Sequence, residues 1–157
     1  MGFFHRRVRR FTKAESFRQF MEGVRTLQMY DAEADKKEPD EDLLNQHLDN
    51  AEKFFRGCVE TYPNDLLPRY YFGIVLSVRA QVVQAREFRS ELEKKPEPPA
   101  VSPERLFLQA AKHFEKIAQQ VGGGKDGRDL LAFSQYNQAQ ALAKTPPIQK
   151  VDPVKNL

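Results

Sequence analysis

The 157-residue chain contains one cysteine, three histidines and no tryptophan. A single cysteine excludes an internal disulfide framework and a zinc site built from several thiolates. No apolar run approaches the roughly 18 residues that a membrane-spanning helix needs. The first ten residues, MGFFHRRVRR, have neither the apolar stretch nor the cleavage site of a secretory signal. These absences predict a single-domain cytoplasmic protein without a metal or another cofactor.

Positive charge is concentrated at the N-terminus. Five of the 25 basic side chains, but none of the 22 acidic ones, fall within residues 1–13. The net charge of +3 therefore reflects a basic arm, residues 1–11, attached to a mildly acidic body. Domains that bind nucleic acid usually spread lysine and arginine over a whole face. Nucleic acid is therefore not the expected partner.

The basic arm has three interpretations. It could be a solvated segment. It could instead contact an anionic membrane surface through Arg6, Arg7, Arg9 and Arg10, each contributing about 1 kcal/mol of binding free energy. This interpretation predicts a regulatory domain at the membrane surface. The arginines could also mark the cytoplasmic side of a membrane helix that precedes this segment in a longer natural chain.

Composition and apolar spacing predict an all-α protein, since alternation of period two is rare and good helix formers dominate. Thr12 and Glu15 have the spacing of a capping box, and Asp65 follows a Pro-Asn turn as a second cap. The predicted domain covers residues 12–144, with charged insertions at 31–42 and 80–103, and a proline-rich flexible tail follows at 145–157. The five predicted helices span about residues 12–30, 43–62, 66–93, 104–121 and 128–144.

A repeated pattern of small and aromatic residues connects these helices. Ala51, Phe55, Cys58 and Pro63 lie at offsets 0, 4, 7 and 12, and a 34-residue frame places Gly73 on the small position of the next helix. This pattern resembles the tetratricopeptide repeat family over about residues 14–144. The resemblance implies antiparallel helical hairpins that form a fragment of a right-handed solenoid.

The chain departs from the family in its hairpin lengths. Gly23 and Ala51 are 28 residues apart and Gly73 and Ala110 are 37 apart, where the family has about twelve. The family's typical tryptophan is also missing. An ordinary helical bundle with alanine and phenylalanine at these spacings remains the alternative fold.

The resemblance implies a non-catalytic scaffold or adaptor that binds a partner peptide or helix in a groove lined by the first helix of each repeat. Family members often place an asparagine that binds a peptide backbone where this chain has Asn137. The same positions could instead be core, because the chain has fewer than three full repeats. The predicted groove residues are Phe20, Val24, Leu27, Tyr70, Ile74, Ser77, Tyr136, Asn137, Gln140 and Ala143.

No pattern in the sequence predicts an enzyme. The glycine run before Lys125 lacks the upstream glycine, the following Ser or Thr and the preceding strand of a phosphate-binding loop. The three histidines lie in separate segments without a second ligand at helical spacing. Cys58 occupies a small-residue position, where a buried thiol acts as a small hydrophobic side chain.

The fifth predicted helix lacks a hairpin partner before the proline-rich tail. One explanation is that the chain is a domain excised from a larger protein. The other is a homodimer formed through an exposed apolar face of this helix.

Overall fold

The computed structural model describes residues 8–93 and 102–142, and every regular element in these ranges is an α-helix. The all-α prediction is confirmed. The principal contacts join helices that are neighbours in sequence, α1 with α2, α2 with α3, α3 with α4 and α4 with α5. The helices are α1 (Ala14–Ala34), α2 (Glu41–Thr61), α3 (Leu66–Leu92), α4 (Pro103–Val121) and α5 (Lys125–Leu142).

The start of α1 differs from the predicted capping box. Lys13 occupies the cap position, and no side chain caps the helix amides there. The Thr12 N–H instead donates to Asp65 Oδ1 at 3.0 Å, and the Ser16 hydroxyl donates to Asp65 Oδ2 at 2.6 Å. Asp65 is at the cap position of α3, but its carboxylate joins the start of α1 to that helix and does not cap α3.

The charged insertion predicted at 31–42, which connects α1 to α2, is partly helical. Helix α1 continues to Ala34, and the Glu33 carboxylate is buried. Its oxygens accept hydrogen bonds from the Asp40 backbone N–H at 3.0 Å and from Lys36 Nζ at 2.9 Å. These two bonds lower the pKa of Glu33. Asp40 in turn caps α2 by accepting from the amides of Asp42 and Leu43.

A tight turn joins α4 to α5. Gly122 ends α4 with a φ of 85°, which glycine adopts without strain. Helix α5 begins at Lys125, three residues before the predicted start. A Cβ on Gly127 would collide with the Gly122 carbonyl oxygen, so the first turn of α5 lies directly against the end of α4.

Two hairpins are held by the same contact between a glycine and a phenylalanine ring. A Cβ built on Gly23 of α1 would lie 2.5 Å from Phe55 Cε1 of α2, and one built on Gly73 of α3 would lie 2.9 Å from Phe114 Cε1 of α4. Both rings are almost fully buried. The missing side chain lets each ring press against the backbone of the facing helix.

The rings continue into a row of aromatic contacts that crosses all five helices. Neighbouring ring centres lie 5.2–6.2 Å apart, a range typical of packed aromatic pairs. Between α2 and α3, Arg79 pairs with the partly exposed Asp49 at 2.9 Å and with the buried Glu52 at 2.7 Å. The members of the row are Phe11, Phe20, Phe55, Tyr71, Tyr70, Phe114 and Phe133.

Alanine at either buried glycine is expected to destabilise the fold, although alanine is the better helix former by about 1 kcal/mol. The added methyl group must displace a buried ring, and overpacking of this kind costs about 1–3 kcal/mol. Urea unfolding of Gly23→Ala and Gly73→Ala should therefore show a net loss of up to about 2 kcal/mol.

Gly57→Ala is the matched control within α2, because its Cβ would meet only the amide end of the Gln19 side chain, which can move away. This variant should be neutral or more stable by up to about 1 kcal/mol. Equal effects at Gly23, Gly57 and Gly73 would show that the ring contacts carry no special energy.

Candidate functional site

Most residues of the predicted groove lie in the chain's own core. Phe20, Val24, Tyr70, Ser77 and Asn137 are each at most 4% exposed. Their side chains are covered by neighbouring helices and offer no surface to a partner, which differs from the sequence-based assignment. The physical reason is the aromatic row, which packs the inward faces of α1, α3 and α5 against their neighbouring helices. Leu27 is also fully buried, and Ala143 lies outside the described residues.

The remaining predicted groove residues are half-buried. Ile74, Tyr136 and Gln140 keep part of their surface accessible, and burial raises the pKa of Tyr136. The Asn137 amide donates to the Phe133 carbonyl oxygen at 2.8 Å within α5. Asn137 therefore uses one of its two amide hydrogens inside the helix, and its burial keeps the side chain from a peptide backbone.

Tyr70→Ala is expected to lower stability by about 3–5 kcal/mol, the usual loss when a buried aromatic ring is removed. Tyr70 is 1% exposed, and burial raises its pKa beyond the usual range of a phenol. Thermal melting checks this expectation, with the half-buried Tyr136→Ala as a milder control. An unchanged melting temperature in Tyr70→Ala would mean that Tyr70 faces a groove.

The last residues of the basic arm contact the helical unit. Val8 is fully buried, and the Phe11 ring lies 5.2 Å from the rings of both Phe17 and Phe20. Arg9 is half-buried and Arg10 is exposed. The other two arginines of the predicted membrane contact, Arg6 and Arg7, lie outside the described residues.

A shallow groove lies along the seam between α2 and the C-terminal half of α3. Tyr30 of α1 also lines it. Phe114 packs at Gly73, so the antiparallel α4, which begins at Pro103, reaches only to about residue 84 of α3, and Arg86 and Arg89 lie beyond it. The concavity measures about 80 Å³. Its lining residues are Tyr30, Glu41, Leu44, Asn45, Leu48, Val82, Arg86 and Arg89.

The groove combines an apolar floor with a charged rim. Leu48 and Tyr30 are almost fully buried at its base, whereas Leu44 and Val82 are partly accessible. Arg89 pairs with Glu41 across the end of the groove at 3.1 Å. Arg86 is half-buried, and none of the described carboxylates pairs with it. The sequence predicts the unequal lengths of α3 and α4 but does not predict this groove.

Two basic side chains, Arg69 and His113, contact each other between α3 and α4. Arg69 is 6% exposed, and no described carboxylate pairs with it. Its Nη1 lies 3.1 Å from His113 Nδ1 and its Nη2 donates to the Pro63 carbonyl oxygen at 3.4 Å. Because a guanidinium only donates, Nδ1 must accept, which assigns the proton of the neutral ring to Nε2. Burial, the Arg69 charge and Lys116 lower the pKa of His113 to about 4.

His113 is expected to make the fold less stable in mild acid. Its pKa is about 4 in the folded chain and near the ordinary histidine value of 6.5 when the chain is unfolded. Between these values the unfolded state binds the additional proton, so stability falls as the pH is lowered through this window. The loss approaches about 1.4 kcal/mol for each unit by which the two pKa values differ.

His113→Gln keeps an acceptor for Arg69 and removes the titrating group. Urea unfolding of this variant should depend less on pH between about 7 and 5 than unfolding of the wild type. Equal slopes in the two proteins would show that His113 does not titrate differently on folding.

Cys58 is fully buried, as its position in the apolar stripe of α2 predicts. Its thiol donates to the Ser16 carbonyl oxygen at 3.6 Å, and burial raises its pKa to about 12. A thiol with such a pKa is almost entirely protonated near neutral pH and is a poor nucleophile. Cys58 therefore contributes packing between α1 and α2.

Comparisons with protein-family models, curated proteins and solved structures find no match for this chain. Within residues 8–93 and 102–142, no three His, Cys, Asp or Glu side chains come together as a metal site requires. None of the helices in that part of the chain has the length and apolar character needed to cross a membrane. Another, more open concavity of about 430 Å³ lies on the exposed face of α4 between Ser102 and Lys112. Its lining is more polar than that of the α2–α3 groove, so the groove is the better candidate site for an apolar anchor.

Proposed function

We propose that this protein is a non-catalytic interaction scaffold that binds a partner segment in the α2–α3 groove. The partner segment presents one apolar side chain to the floor formed by Leu44, Leu48 and Val82. An acidic residue of the partner pairs with Arg86. The observation that carries this proposal is the groove itself, an apolar concavity beside an arginine that pairs with none of the carboxylates in the described part of the chain.

The size of the groove supports a peptide over a small-molecule ligand. Pockets for drug-sized ligands usually measure roughly 300–1,000 Å³, whereas this concavity measures about 80 Å³. One anchoring side chain fits such a space, and the exposed seam on either side provides contacts for the rest of a helix or peptide. Arg86 supplies specificity through the planar geometry with which guanidinium groups bind carboxylates.

The repeated packing supports the tetratricopeptide-like part of the proposal. The contact of Gly23 with Phe55 in the first hairpin corresponds to the contact of Gly73 with Phe114 in the second. Ala51 and Ala110, four residues before each ring, are both fully buried. We therefore propose two diverged repeats with enlarged turns, in which the extended α3 has given the scaffold a binding groove of its own.

A displayed library of short helical peptides tests this function directly. Selected peptides are expected to combine an apolar anchor with acidic residues, and Arg86→Glu should weaken their binding about tenfold or more, because one attractive pair becomes a repulsive one. Arg105→Glu on the exposed face of α4 is the matched charge reversal. It should leave affinity nearly unchanged.

Two results would contradict the proposal. One is a library that yields no peptide binding to the folded protein. The other is a set of peptides whose affinity falls equally in Arg86→Glu and Arg105→Glu, since that would indicate attraction to the overall charge and not to the groove.

A further inference from the structure

Between Leu131 and Leu142 one face of α5 is exposed and carries no charge, and the exposed Arg128 lies one turn before it on the same face. Leu131 is 45% exposed and Leu142 is 87% exposed, and no charged residue occurs between Asp129 and Leu142 although 30% of the whole chain is charged. The opposite face of the helix packs inward through Leu130, Ser134, Asn137 and Ala141. The exposed face is formed by Leu131, Ala132, Gln135, Gln138, Ala139 and Leu142.

The spacing along this face is that of a helix seam. Leu131, Gln135, Gln138 and Leu142 follow one another at intervals of four, three and four residues, which is the alternation of the a and d positions of a coiled coil. Ala132 and Ala139 flank the seam, and their small side chains allow a second helix to come close.

The seam is also symmetric about its centre. Leucine, glutamine, glutamine and leucine read the same in both directions, with the midpoint between residues 136 and 137. When two such helices run antiparallel, Leu131 of one meets Leu142 of the other, and Gln135 meets Gln138. A two-fold axis produces each of these contacts twice, as in other isologous interfaces.

We propose that this face of α5 binds α5 of a second copy of the chain in an antiparallel two-fold dimer. The absence of charge between Leu131 and Leu142 favours this occupant, because two identical stretches meet without like-charge repulsion. In the antiparallel arrangement the two Arg128 side chains lie at opposite ends of the seam. The glutamines supply matched donors and acceptors at the centre. The Gln138 amide nitrogen donates to the Ser134 hydroxyl at 3.1 Å within the helix, and its carbonyl oxygen accepts from Gln135 of the other copy.

The dimer formed by a single pair of helices is weak. The seam from Leu131 to Leu142 is roughly 17 Å long at 1.5 Å per residue. An interface this small belongs to the class of weak associations. We expect a Kd of about 10–100 µM, so the oligomeric state depends on protein concentration in that range.

Sedimentation of charge-changed variants of the full chain tests both the interface and its direction. Gln135→Glu with Gln138→Glu places like charges across the seam, and Gln135→Lys with Gln138→Lys does the same. Each double variant is expected to be monomeric alone, and a mixture of the two should form a heterodimer. Gln135→Glu with Gln138→Lys should still dimerise, because an antiparallel seam then pairs opposite charges twice. Circular dichroism melting confirms that each variant is folded.

Leu131→Glu and Leu108→Glu provide a matched control, since the two leucines are 45% and 46% exposed on different helices. The first substitution should weaken dimerisation about tenfold or more, and the second should leave it unchanged. A wild-type protein that stays monomeric throughout this concentration range would overturn the proposal. Equal weakening of dimerisation in the two leucine variants would overturn the α5 seam as the interface. A double variant Gln135→Glu, Gln138→Lys that is monomeric would overturn the antiparallel direction.

Discussion

The close contact between a glycine and a phenylalanine ring sets the spacing of the helices. In each of two hairpins, a helix without a side chain at one position receives an aromatic ring from the helix that follows. The ring excludes water and brings the two backbones close together, which makes the packing sensitive to a single methyl group. Helix α3 carries Gly73 together with Tyr70 and Tyr71. Through these two tyrosine rings it also joins the two hairpins in the aromatic row.

The turns of the two hairpins differ while the ring contact stays the same. Six residues separate α1 from α2, whereas ten separate α3 from α4. Loop length has only a modest effect on stability, because the entropy of closing a loop rises slowly with its length. The C-terminal half of α3 extends past the start of α4, and it lines the groove together with α2 and Tyr30 of α1. The same packing that stabilises the fold therefore positions the surface proposed to bind a partner.

The helices and their inward faces followed from local patterns in the sequence. Spacing alone predicts that Ala51, Phe55 and Gly73 occupy the small and aromatic packing positions of the repeat, and all three are buried. The caps were harder to predict, because Asp65 satisfies the start of α1 with its carboxylate instead of the amides of its own helix. Glu33 likewise appears as one acid among many in the sequence, and only the fold brings the Asp40 amide to it.

The candidate site could not be predicted from the sequence for a related reason. Whether Tyr70 faces a groove or the core depends on which helices flank α3, and periodicity does not report the neighbours of an element. The resemblance placed the binding surface on the first helix of each repeat. The packing instead leaves accessible surface at the α2–α3 seam and on the outer face of α5.

The most direct test of this account is a nuclear Overhauser experiment on the isotope-labelled protein. Protons within about 5 Å give such effects, and the packing places the Gly23 and Gly73 α-protons against the rings of Phe55 and Phe114. The account predicts cross-peaks between each glycine and its ring, together with α-proton shifts caused by the ring current. Absence of these cross-peaks in a well-folded sample would contradict the shared contact on which both hairpins depend.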